Sequence, residues 1–190
     1  MNWRIDAGDQ TIALTAAAGL PFVTYWGPRL PDSEDLAQLA LAAQNDLTGG
    51  MLDQLPQITL TPESGRAFQG QAGLVLQAAD GTPLHPVFAF DHAERQGQTL
   101  TLVSRGDGLT LTHRLTARST GVITLQTTLD SATPVRVQWL AAPVLPAPQD
   151  GDIIDISGKW VGEFQLNRTP WTQGIRLREA RTGRSGHEHP

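Results

Sequence analysis

Apolar and polar residues alternate with a period of two along most of this chain. Thr11 to Thr15 sets Ile12 and Leu14 on one side. Leu20 to Gly27 sets Leu20, Phe22, Thr24 and Trp26 against Val23 and Tyr25, the pattern of a strand buried on both faces. The period then changes. Pro31-Asp32-Ser33 precedes Leu36, Leu39, Ala40 and Ala43, which predicts a short amphipathic helix within Ser33 to Asn45, capped by Asp32 or Ser33. Gly49-Gly50 marks a loop.

Beyond Ile58-Thr59-Leu60 the alternation returns, with a strand about every ten residues. Gly73 to Ala78 is followed by an Asp80-Gly81 turn, and Val87 to Asp91 carries Phe88 and Phe90 on one face. Gln98 to Ser104 and Leu109 to Ala117 flank Arg105-Gly106-Asp107-Gly108, a short hairpin link whose glycines suit positive φ. Leu109, Leu111, His113 and Leu115 share one face. Val122 to Leu129 and Val135 to Ala141 continue the pattern, the second expected to bury Val135, Val137 and Trp139. Pro143, Pro146 and Pro148 read as a linker or crossing loop before Ile153 to Ile156. Many short strands and one helix predict an all-β fold built as an antiparallel sandwich.

Composition narrows the function. A chain of 190 residues, 39% hydrophobic and 17% charged, can build a packed core. Its net charge of −5 argues against a nucleic-acid partner. The absence of cysteine excludes disulfides, thiol catalysis and cysteine-zinc sites. Met1 to Asp6 opens no apolar leader, and no run nears the roughly 18 apolar residues of a membrane helix, so the expectation is a cytoplasmic protein with no membrane partner. That location removes the meaning of two tempting motifs, the sequon Asn167-Arg168-Thr169 and the adhesion tripeptide Arg105-Gly106-Asp107.

Candidate chemistry is sparse. His187 and His189 alternate as strand ligands would, but two imidazoles without a third ligand read as polar terminal residues, so no metal is expected. His113, on an apolar face, reads as a core histidine with one satisfied ring nitrogen rather than a base. No nucleophile elbow, phosphate loop or dinucleotide motif appears, and no cofactor is implied. Asp35, Asp46, Asp53 and Glu63 lie near loops or helix ends, where acidic residues are ordinary. Trp26, Trp160 and Trp171 offer indoles on which a sugar ring could stack, against the alternative of core or interface tryptophans.

The last third carries a resemblance. Gly158-Lys159-Trp160-Val161-Gly162-Glu163 and Arg168-Thr169-Pro170-Trp171-Thr172-Gln173-Gly174 resemble motifs of the family 36 glycoside hydrolases, the microbial α-galactosidases, which run Gly-x-Trp-x-x-Glu and then Arg-x-Pro-Leu-x-x-Gly. Glu179-Ala180-Arg181-Thr182-Gly183-Arg184-Ser185-Gly186-His187-Glu188-His189-Pro190 is similar to a third motif, with Ala180 and Gly186 for serines and His189 for asparagine; in the second motif Trp171 replaces leucine. Tyr25-Trp26-Gly27 and the run Glu63 to Gly70 fit the same family loosely.

The resemblance implies an N-terminal β-supersandwich of the galactose-mutarotase type, of which residues 1–190 would be the first part, ending before a (β/α)8 barrel. That barrel would carry the two aspartates of a retaining mechanism. It implies no catalytic residue in this chain. The expected partners are the missing barrel, an α-galactoside reached through the parent enzyme, and further copies in a homo-oligomer. An uncovered apolar face is expected around Ile175 to Leu177. The loop from about Pro28 to Pro56, which in some relatives reaches a neighbouring active site, makes Trp26 and, by location, Asp53 the candidate substrate contacts.

Overall fold

The computed structural model describes residues 1–43, 57–147, 151–159, 161–172, 174 and 176–177. The chain divides into two compact units, Met1–Pro146 and Ala147–Pro190. The boundary falls within the proline-rich stretch that the sequence marks as a linker.

The first unit is all antiparallel sheet apart from a single short α-helix among the described residues. One three-stranded sheet has the order β1 (Asn2–Ala7), β2 (Gln10–Thr15), β3 (Phe22–Pro28). A second has the order β10 (Val135–Leu140), β4 (Leu74–Ala78), β5 (Pro83–Leu84). A four-stranded meander runs β6 (Ala89–Gln96), β7 (Thr99–Gly106), β8 (Leu109–Ala117), β9 (Ile123–Ser131).

Strand β8 explains how the three sheets share one interior. Its inward residues alternate as the sequence predicts, with Leu109, Leu111, His113, Leu115 and Ala117 all buried. Leu115 and Ala117 join Leu100 and Leu102 against Ile5, Ile12 and Leu14 of the first sheet. Leu109 and Leu111 join Phe88 against Leu74 and Leu76 of the second. The meander is thus one layer of a sandwich whose other layer is made by the two smaller sheets, with an apolar cluster under each. His113 stands between the clusters.

Several expectations shift. The strand buried on both faces is β2, where Thr11, Ile12, Ala13 and Leu14 are all buried, because it is central in its sheet. β3 is an edge, and Trp26 on it is 46% exposed. The helix α1 spans Leu36–Ala42, and its cap is Asp35, whose Oδ1 accepts from Ala37 N at 2.9 Å and Gln38 N at 3.2 Å. Asp32 instead faces the guanidinium groups of Arg4 (3.6 Å) and Arg29 (3.8 Å). Leu36 and Leu39 are half-buried and Ala40 is buried, but Ala43 is exposed. The expected end of the helix at Asn45 lies outside the described residues.

The strand expected at Val135 to Ala141 forms, with Val135 half-buried against the second cluster, but the expected burial of Val137 and Trp139 fails. Val137 is 51% and Trp139 46% exposed. β10 is an edge strand, and its register against β4 slips between Val137 and Trp139, so the alternation read from sequence no longer maps onto one face. β6 begins at Ala89, beyond Phe88, and continues to Gln96 through a charged edge that shows no apolar alternation. β1, with its turn at Gly8 (φ 60°), was not evident from the pattern. The Asp107-Gly108 turn matches expectation, with φ of 52° and 77° as a two-residue link requires.

The second unit contains a hairpin of β11 (Asp152–Lys159) and β12 (Gly162–Pro170). Among the described residues no helix is long and apolar enough to cross a membrane.

Candidate functional site

The edge at Trp26 is built by short-range constraints. Trp26 pairs with Ile12 across β2 and β3, and its indole N–H donates to Gln10 Oε1 at 3.0 Å. Gln10 is itself fixed by donating from Nε2 to the Gly121 carbonyl at 2.7 Å. The indole therefore keeps a fixed edge and an open face. Tyr25 curls back to donate its hydroxyl to the Pro28 carbonyl at 2.7 Å, passing so close that a Cβ on Gly27 would lie 2.9 Å from its oxygen. That geometry accounts for Tyr25-Trp26-Gly27 as a unit.

The chain leaving β3 is tied down at once. Arg29 N–H donates to Asp9 O (2.7 Å) and Leu30 N–H to Thr11 Oγ1 (3.1 Å). Arg4 donates to the carbonyls of Leu30 (2.5 Å) and Pro31 (2.6 Å) while pairing with Asp6 at 2.9 Å. The Asp6 carboxyl is held below its usual value: burial, the largest single influence, would raise it, but hydrogen bonds from Thr11 and Arg4 and the charges of Arg4 and Arg29 together outweigh burial. Asp53, the second predicted contact, lies outside the described residues, as do Trp160, His187 and His189.

Sequence reasoning passed over the most constrained carboxylate. Glu63 is buried, and its Oε1 accepts the Phe88 N–H at 2.7 Å. Its Oε2 has no aligned hydrogen bond but faces Arg66 Nε at 3.3 Å as an ion pair. Arg66 donates from Nη2 to the Phe88 carbonyl at 2.8 Å. The two side chains, joined by a 3-10 turn at Ser64–Arg66, thus hold both polar groups of Phe88. Burial raises the Glu63 pKa, with the Phe88 hydrogen bond and the Arg66 charge opposing it. The Glu-x-x-Arg spacing within Glu63 to Gly70 was the available signal.

His113 is fully buried, and one ring nitrogen, Nε2, lies 2.8 Å from Thr61 Oγ1. Nδ1 has no partner, and burial pushes the imidazole pKa down to about 4. It is a neutral core histidine, as the sequence suggested. Asp91, His92 and Glu94 cluster on β6, with Asp91 also paired to Arg105 at 2.7 Å. Among the described residues no group of three or more such side chains could hold a metal.

In the second unit the chain reverses between Lys159 and Gly162, inside the Gly158-to-Glu163 motif. Val161 takes a φ of 66°, and its N–H donates to Glu163 Oε1 at 3.1 Å. Asn167, the sequon residue, donates to Ser157 Oγ at 2.7 Å and Asp155 Oδ1 at 3.2 Å, and Arg168 pairs with Asp152 at 2.5 Å. Trp171 is exposed, as are Ile154, Phe164, Leu166 and Leu177, while Ile175 lies outside the described residues.

The model of the glycosyl hydrolase family 36 N-terminal domain matches residues 19–190. A protein of Escherichia coli described as alpha-galactosidase is 26% identical over 173 residues, which cover 88% of this chain and 24% of that relative. The chain therefore spans about a quarter of the length of the curated relative it matches. The hairpin motif, the Tyr25-Trp26-Gly27 edge and the Glu63-to-Gly70 turn all lie within the matched region, and the chain belongs to the family of glycosyl hydrolase family 36 N-terminal domains.

Proposed function

We propose that this chain is the non-catalytic β-sandwich domain of an α-galactosidase, a retaining hydrolase that releases terminal α-galactose. In this reading it supports a catalytic (β/α)8 barrel encoded elsewhere in the parent polypeptide and takes part in its homo-oligomeric assembly. The observation that carries the reading is the family match over residues 19–190, together with an α-galactosidase relative about four times as long. Trp26, with its indole edge held by Gln10 and its face open, is the residue proposed to meet substrate at the mouth of the site, and Asp53 is proposed as a second contact.

The test is to express the parent coding sequence and assay hydrolysis of an aryl α-galactoside. The expected result is activity that resides in the parent and not in residues 1–190, with Trp26→Ala raising KM more than it lowers kcat. A parent inactive on every α-galactoside, or an active isolated chain, overturns the proposal. The exposed indole also suits a second reading, a carbohydrate-binding module that works without a barrel. Calorimetric titration of the isolated chain with α-galactosides separates the two, since saturable binding lost in Trp26→Ala favours the module.

A further inference from the structure

The turn at Asp107 also closes a cavity of about 240 Å³. Leu109 and Val135 form apolar wall, and His85, Asp107, Ser131 and Thr133 supply polar groups. These groups are fixed from behind. Asp107 Oδ2 accepts the Val87 N–H at 3.0 Å, and His85 Nδ1 lies 3.1 Å from Ser64 Oγ. Ser131 Oγ donates to the Thr133 carbonyl at 2.6 Å, and Ala132 N–H to the Gly108 carbonyl at 3.0 Å. The segment carrying His85 is gripped from two sides. A Cβ at Gly65 would come 2.6 Å from its carbonyl, and one at Gly106 would come 2.0 Å from the next carbonyl but one, that of Val87.

Asp107 and His85 thus each spend one side-chain atom on structure and keep another. Asp107 Oδ1 and His85 Nε2 have no partner among the described residues. We propose that this cavity binds a single hexopyranose ring. A carboxylate oxygen accepts from sugar hydroxyls, an imidazole nitrogen adds a further hydrogen bond, and aliphatic walls take the C–H face of the ring. The volume, just below the roughly 300–1,000 Å³ of ordinary small-molecule sites, leaves room for one ring and not for a chain of them. The proposal does not rest on the parent's activity, because binding is read on this chain and hydrolysis on the parent.

The experiment is a titration of the ¹⁵N-labelled 190-residue chain with galactose, followed by NMR. Expected are saturable shifts centred on the amides of Asp107, Gly108, Ser131 and Thr133, with a Kd on the order of 1 to 10 mM, as so small a ligand allows. Asp107→Asn, which keeps an oxygen for the Val87 N–H, weakens binding at least about tenfold. Thr133→Phe, at an exposed position, fills the mouth and abolishes it. Cyclohexanol, a ring of the same size with one hydroxyl, leaves the four amides unmoved. No saturable shift at these residues, an equal response to cyclohexanol, or unchanged binding in both variants with otherwise native spectra overturns the proposal.

Discussion

Acid should weaken the first unit through His113 well before its aspartates titrate. The imidazole is fully buried, and burial alone moves its pKa from 6.5 to about 4. The depressed value means that the folded protein resists a proton which the unfolded chain accepts. The stabilisation that this neutral histidine contributes is therefore complete above pH 6.5 and is lost as pH falls toward about 4. At about 1.4 kcal/mol for each pKa step, the full loss is on the order of 3 kcal/mol. That is a large share of the roughly 5–15 kcal/mol that holds a domain together.

Two carboxylates with shifted pKa values act differently. Asp6, with its lowered pKa, loses its contribution only as pH falls below 3.8. Glu63 acts in the opposite sense: its raised pKa stabilises the fold as pH falls, so the measured drop should be somewhat smaller than His113 alone would give. The assay is urea unfolding followed by tryptophan fluorescence at about pH 7.5, 5.5 and 4.5, for the native chain and His113→Leu. The native chain should lose about 2–3 kcal/mol across this range, and the variant should show a markedly flatter profile. A native midpoint indifferent to pH, or a variant with the same slope, refutes the reasoning.

The remaining predictions concern backbone held by side chains. Glu63→Ala should cost about 3 kcal/mol in urea unfolding, because it strands the buried Phe88 N–H and unpairs Arg66, whereas Glu63→Gln keeps an acceptor and should cost about 1 kcal/mol. Gly106→Ala should lose about 4 kcal/mol or fail to fold, as its Cβ would meet the Val87 carbonyl at 2.0 Å; a native melting temperature would contradict this. Asp35→Ala should cost about 1 kcal/mol and speed hydrogen exchange at the helix start without changing the sheet amides.

Alternation exposed the meander well because its inner face is covered along its whole length. Leu109 to Ala117 could be read residue by residue. The same rule misplaced Trp139, because the register slips between Val137 and Trp139 and pairs Trp139 with exposed Val75. It also misplaced Val137, which pairs with buried Leu76 but lies on an edge strand. It missed the second half of β6, whose His92, Glu94 and Arg95 sit on an edge where charge keeps other strands away. The helix was legible from Leu36, Leu39 and Ala40, but its cap was not. Three residues suited to capping, Asp32, Ser33 and Asp35, compete there, and the arginines at positions 4 and 29 draw off Asp32. Trp26 stands out in the sequence because the Tyr25-Trp26-Gly27 motif is local. The Glu63-to-Arg66 spacing hinted at an ion pair, but its target, Phe88, was not legible, because it lies 25 residues from Glu63 and is met through backbone atoms that carry no sequence signal.

The motifs that look most chemical turn out to shape backbone. In Arg105-Gly106-Asp107, Gly106 lets the Val87 carbonyl approach, Asp107 accepts the Val87 N–H, and Arg105 pairs with Asp91. In Glu63-Ser64-Gly65-Arg66, the glycine admits the carbonyls of His85 and Pro86 while the charged ends seize Phe88. Both act on one stretch, 85–88, which crosses into the meander and delivers Phe88 to the second apolar cluster. A crossing segment of this kind has no ladder of its own, so its buried N–H and C=O groups need side-chain partners or cost about 1–3 kcal/mol each. Charge and glycine concentrate there for that reason. The same fixing leaves Asp107 and His85 each with an unused polar atom at the cavity they line, so the demands of the crossing also set a carboxylate oxygen and an imidazole nitrogen where a ligand could use them.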